Sequence, residues 1–204
     1  MFQISAIFFA GANVNIKCCV LEETALHRAC LQNLELLKLL IKVPSIKINT
    51  ADNRGVTALH LACHTNKPQQ VALLLRHGAD ITALTLRGET PIFYSIRPSM
   101  VPECSVSSLV QSSETSFEVM FRHIQNPKNK LDSSKCFLHT NKKDESLLLV
   151  GVRYGNLAAV KILVEQLSLF DVNDRTEDGK HRSHHKVWGC LGDFKNLNFL
   201  ILKA

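Results

Sequence analysis

Aromatic residues are scarce in this chain: they make up 6% of its 204 residues, with one tryptophan and two tyrosines. So few rings argue against a platform that stacks nucleic-acid bases and favour close helix packing over a sheet-rich core. Paired cysteines are lacking too. The seven cysteines are odd in number and irregularly spaced, with no CxxC pair, which excludes a disulfide framework and fits a reducing compartment. No apolar run is long enough to span a bilayer. The opening "MFQISAIFFA" is apolar but lacks a basic n-region, and its ten residues fall short of the about 20 a spanning helix needs. Phosphate-cradling glycine loops, nucleophile elbows and paired catalytic carboxylates are also missing. The expectations are therefore no enzyme, no cofactor, no small-molecule substrate, no membrane partner, and the cytoplasm or nucleus as location.

What is present suffices for a core, since 46% of residues are hydrophobic. The length makes one domain the default. The net charge of +6 is spread along the chain, a balance that suits an acidic partner. Its densest stretch, Arg122 to Lys143, contains Lys128, Lys130, Lys135 and Lys142 without an interleaved aromatic platform. It reads as a solvated loop, which makes nucleic acid an unlikely partner.

The organising feature is repetition. "TALHRAC" at 24–30 and "TALHLAC" at 57–63 share six of seven letters and start 33 residues apart, and a weaker copy, "TPIFYSI", starts 33 residues later at Thr90. A period of this length is the mark of a stacked-repeat architecture. In the clearest unit Gly55 is a turn residue suited to positive φ. Thr57 is the expected N-cap of a helix over Ala58 to His64, its hydroxyl accepting from an orphan amide. Pro68 opens a second helix that Gly78 stops. Each helix has only two to three turns, below the length at which an isolated helix is stable, so stacking must supply the stability. Ala29, Ala62, Ser95 and Gly151 fall at the same step of successive units, all small enough for close helix approach. Cys30 and Cys63 share a register with Ile96 and Val152 and read as small core residues.

Gly-x-Thr-Ala-Leu-His-x-Ala followed by "VALLLRHGAD" resembles the ankyrin repeat, whose period is 33. The resemblance implies an all-α solenoid of stacked helix-turn-helix units joined by short hairpin-like loops. It further implies that His27 and His60 tie adjacent hairpins together by hydrogen bonds. Family members bind proteins through the hairpin tips and the face of the first helices. Carried onto this sequence, those positions are Asp52, Asn53, Arg54, Leu61, His64, Thr85, Leu86 and Arg87. The expected function is a protein-interaction module, a scaffold or adaptor in signalling, holding a protein partner.

The units are expected at 16–49 and 50–82, then 83–140 with insertions, then 141–173. Residues 1–15 form a partial repeat and 174–204 a degenerate or capping one. The Pro- and Ser-rich stretch within 98–115 and a second long link from Gln125 to Glu145 read as insertions, the first mobile and dispensable. The "HRSHH" run at 181–185, near Cys190, is the densest histidine tract, but its spacing defines no metal site. Two rivals remain: a nucleic-acid-associated protein that uses the basic 122–143 loop, and a segment of a larger ankyrin-containing enzyme or channel.

Overall fold

The structure is a computed structural model and describes residues 13–18, 20–97, 114–129 and 131–167. Residues 1–12 of the expected partial repeat 1–15, residues 98–113 of the insertion at 98–115, the histidine tract and the terminal repeat from 174 lie outside the described residues. Nine α-helices fill the described chain: α1 (Ala25–Gln32), α2 (Leu34–Ile41), α3 (Ala58–His64), α4 (Pro68–Arg76), α5 (Pro91–Ile96), α6 (Ser116–Gln125), α7 (Ser133–Phe137), α8 (Leu147–Arg153) and α9 (Leu157–Leu167). Pairing follows the repeat. α1, α3, α5 and α8 pack in sequence as an inner layer, and α2, α4 and α6 pack behind them.

Local chemistry sets the helix ends. Asn33 and Thr115 cap α2 and α6, accepting from the amides of Leu36 and Glu118, while Glu118 reaches back to the Thr115 N–H at 2.7 Å. This reciprocal box satisfies two orphan donors. At the end of α4, Gly78 takes φ +82°, and the N–H of Ala79 donates to the Leu74 carbonyl at 3.0 Å. Asn66 and Gly155 turn the chain after α3 and α8 in the same left-handed conformation, each followed by an N–H that returns to the helix. Pro68 stands at the first turn of α4, where its missing donor is harmless.

Stacking closes the core. Leu26, Leu59, Ile92 and Leu147 of the inner helices are fully buried, as are Leu37, Leu74, Met120 and Leu163 of the outer ones. The small residues lie where expected, and Ala62 is completely buried. A Cβ added to Gly151 would meet Val160 Cγ2 at 3.1 Å and Ile96 Cγ2 at 3.6 Å. The repeating histidine is the joint between units. The Thr24 N–H donates to His27 Nδ1 at 3.1 Å, and His27 Nε2 lies 3.0 Å from the Val56 carbonyl of the next unit. His60 repeats both bonds, with Thr57 at 3.1 Å and the Glu89 carbonyl at 3.2 Å. An amide can only donate, so Nδ1 accepts and Nε2 carries the proton; both rings are neutral. The Thr57 hydroxyl also faces His60 Nδ1, at 2.9 Å, so the ring closes a capping box that glutamate normally closes.

Two features depart from the sequence reading. The link from Gln125 to Glu145, expected as a loop, contains a 3₁₀ turn over Pro127–Asn129 and the helix α7. Phe137 and Cys136 of α7 are buried, and the Phe137 ring lies 5.3 Å from that of Phe121 on α6. The apolar face of α6 needs this cover, but two adjacent apolar letters carry no periodicity. The second feature is the third unit, which has Phe93 where the first two units have His27 and His60 and the fourth has Leu149. His139, at the end of the same unit, supplies a joint there, meeting the Phe93 ring edge to face at 6.0 Å and lying 2.8 Å from the Gly88 carbonyl. The register thus survives the insertion: α6 joins α3 through Ser116 N–H to Asn66 Oδ1 at 2.9 Å, and Asn156 Nδ2 donates to the Ile96 carbonyl at 3.2 Å.

Candidate protein-interaction surface

The second, third and fourth units each open on a tight turn that one polar side chain holds from inside. In the second unit Asp52 Oδ1 accepts from the amides of Arg54 and Val56, both at 2.8 Å, and Oδ2 accepts from the Arg54 guanidinium at 2.9 and 3.0 Å. Burial pushes the Asp52 carboxyl up, but the Val56 amide and the Arg54 donors outweigh it and hold the carboxyl below its ordinary range. Thr85 does the same work in the third unit, its hydroxyl accepting from the Glu89 N–H at 3.3 Å, and Asn141 in the fourth, accepting from Lys143 and Glu145. Gly55, Gly88 and Asp144 supply the positive φ that these turns need, as does Glu22 in the first unit. At Gly55 a side chain is excluded twice over, by φ +77° and by the Thr85 Cα that an added Cβ would meet at 2.9 Å.

The turns are zipped to one another. The Asn53 N–H donates to the Leu21 carbonyl at 3.1 Å, Leu86 to Arg54 at 2.8 Å, and Lys142 to Arg87 at 3.0 Å. The eight positions expected at the contact surface therefore divide. Asp52, with a side chain 1% exposed, and Thr85 are buried in the turns they hold. Leu61 is buried among the inner helices. Asn53 is exposed, but its amide group fastens the first turn through the Val20 carbonyl at 2.8 Å. Arg54, Leu86 and Arg87 are exposed at the tips, and His64 is half-buried on the inner face.

That inner face carries residues the sequence reading missed. His64 lies edge-on to Tyr94 at 5.9 Å, and the Arg97 guanidinium sits between Tyr94 at 5.4 Å and Tyr154 of the next unit at 5.8 Å. Such cation–π contacts join the third and fourth units beside the insertion. Arg97 also pairs with the buried Glu89, and Arg153 pairs with Glu145. Glu23 and Arg28 form a comparable pair at 2.7 Å. Burial, then the Arg97 charge, lowers the pKa of His64, so its ring is neutral at neutral pH. Burial and the Glu89 carboxylate raise that of Tyr94. The signal for this row was present: His64, Arg97 and Arg153 each fall seven residues after their N-caps Thr57, Thr90 and Ser146, and Glu23, Glu89 and Glu145 each precede an N-cap by one.

Reactive chemistry is not what these groups are tuned for. Burial pushes the Cys30 thiol up to about 12 and the Cys63 thiol higher still, whereas a nucleophilic cysteine needs its thiolate. Among the described residues no group of three His, Cys, Asp or Glu side chains is placed to hold a metal ion. No helix of the described residues is long and apolar enough to cross a membrane.

Comparison with known proteins agrees with this geometry. Residues 3–85 match the family profile described as ankyrin repeats in three copies. SMC5-SMC6 complex localization factor protein 1 of Homo sapiens is 44% identical over 72 residues, 34% of this chain and 7% of that protein. Tyrosine-protein kinase HTK16 of Hydra vulgaris is 38% identical over 73 residues, 34% of this chain and 10% of the kinase. The BTB/POZ domain and ankyrin repeat-containing protein NOOT2 of Medicago truncatula is 39% identical over 93 residues, 44% of this chain and 18% of the relative. The chain thus spans less than a fifth of the length of these relatives. With the motif, the histidine joint and the zipped turns all in one register, the chain carries ankyrin repeats, matched by the family profile over residues 3–85.

Proposed function

We propose that this chain is a non-enzymatic protein-interaction module, a scaffold or adaptor, which holds an acidic protein partner against its hairpin tips and inner helix face in the cytoplasm or nucleus. Ankyrin repeats are generally protein-protein interaction modules. The observation that carries the reading is the division of labour among polar groups. Asp52, Thr85, His27 and His60 are buried and bonded within the frame, while Arg87, Lys142 and Lys143 stand exposed outside it. Similarity to a factor named for localization of the SMC5-SMC6 complex supports an adaptor role. The nucleic-acid alternative is weakened at its own segment, because Arg122 pairs with Glu114 and Lys135 with Asp132, and part of the stretch is folded against α6.

The test is affinity capture with the full chain, identification of the captured protein by mass spectrometry, and titration of that protein against variants. Arg87→Glu with Lys142→Glu should weaken association sharply, mainly through the encounter rate and more so at low salt. Binding that is unchanged in this variant and in His64→Ala would remove both the tips and the inner face from the site.

A further inference from the structure

We propose that the adjoining tips of the third and fourth units are the seat for a partner segment in which acidic side chains flank an apolar one. The inference rests on the interaction-module reading and fixes its place and chemistry. The buried Thr85 is flanked in the chain by two exposed leucines. Leu84 is 52% exposed and Leu86 64% exposed. Exposed leucines in company, beside charge, are a more specific signal than a lone surface leucine.

The charges beside them are exposed cations. Arg87, Lys142 and Lys143 are exposed and take part in none of the ion pairs among the described residues, whereas Arg54 is committed to Asp52. The neighbouring carboxylates Glu89 and Glu145 are committed to Arg97 and Arg153. Asp144 is exposed on the fourth tip, so one carboxylate accompanies the three cations of the two tips. The bond from the Lys142 N–H to the Arg87 carbonyl, 3.0 Å long, sets the two tips side by side. Lys142 also lies along Gly88, where an added Cβ would stand 3.1 Å from its Cγ. Acidic groups answer the cations, and only an apolar side chain gains by covering Leu84 and Leu86. A phosphate backbone would satisfy the first feature and leave the second in water.

The experiment titrates the full chain with three probes: a glutamate-rich peptide with a central leucine, the same peptide with serine at that place, and a single-stranded oligodeoxynucleotide of equal charge. The leucine peptide should bind about tenfold tighter than the serine peptide, the worth of one well-buried leucine. Leu86→Ser should abolish that ratio, Arg87→Glu with Lys142→Glu should weaken both peptides, and amide shifts should centre on 84–88 and 142–144. Equal binding of the two peptides, or an oligonucleotide that binds as tightly and ignores Leu86→Ser, overturns the proposal. Shifts centred on Tyr94 and Tyr154 also overturn it, while leaving the module reading intact. If no peptide binds but a protein is still captured by the chain, this seat fails and the module stands; if neither happens, both fail.

Discussion

Glu22 holds a position that other units give to Gly55 and Gly88, and its φ of +54° is a conformation that costs a side chain about 1 kcal/mol or more. Its ion pair with Lys17, 3.0 Å long, is exposed and offsets little of this. Glu22→Gly should therefore raise stability by roughly 0.5–1 kcal/mol, less the entropy that glycine adds to the unfolded chain. A lowered melting midpoint would show the strain argument to be wrong. His60 gives the residue scale its pH dependence. Burial lowers its pKa from 6.5 to about 4, so between these values the unfolded chain binds a proton that the folded chain refuses. Stability is then full above pH 6.5 and falls as pH drops toward 4, by about 3 kcal/mol. Asp52, depressed instead, contributes above its ordinary value of 3.8 and is lost in a more acidic window. Chemical denaturation at successive pH values should show the earlier loss in the parent and much less of it in His60→Phe, which copies Phe93. An equal loss in both would assign it to other groups. Residue types were a poor guide to exposure at Asp52 and Thr85. They differ between units, as contact residues do, yet the shared task of holding a turn is one that Asp, Thr or Asn can each perform.

At the scale of elements, α3 was legible to the residue and α4 to within one, because Thr57, Pro68 and Gly78 punctuate them and each acts through its own backbone geometry. The small register at Ala29, Ala62, Ser95 and Gly151 was legible for a similar reason, since it follows from helix spacing alone. Ala62→Leu should cost roughly 1–3 kcal/mol by overpacking, and partner binding should fall only as folding falls. α7 was not legible. Cys136 and Phe137 are too few to set a period, and what buries them is the face of α6, distant from any local signal. Phe137→Ala should cost about 3 kcal/mol if this segment is an integral cover. A variant as stable as the parent in urea would return the link to the status of a loop.

The whole molecule is a stack whose continuity does not depend on the continuity of its sequence. The turns remain zipped from Leu21 to Lys142, although the third unit leaves the 33-residue period between α5 and α6. The proposed contact surface was only half legible. Period and motif pointed to the tips of the second and third units, whereas the proposed seat, with exposed Arg87, Lys142 and Lys143, lies at the third and fourth. Arg97 and Tyr154 were invisible as partners because an insertion separates them in the chain. Charge reversal at Arg54 would now test the frame as well as binding, since its guanidinium braces Asp52. The most direct test of the account is amide hydrogen exchange on the full chain with and without its captured protein partner. Added protection should fall on the tips around 53–54, 86–87 and 142–143 and on the inner face at His64, Tyr94 and Arg97. Protection confined to the outer helices α2, α4 and α9 would contradict it.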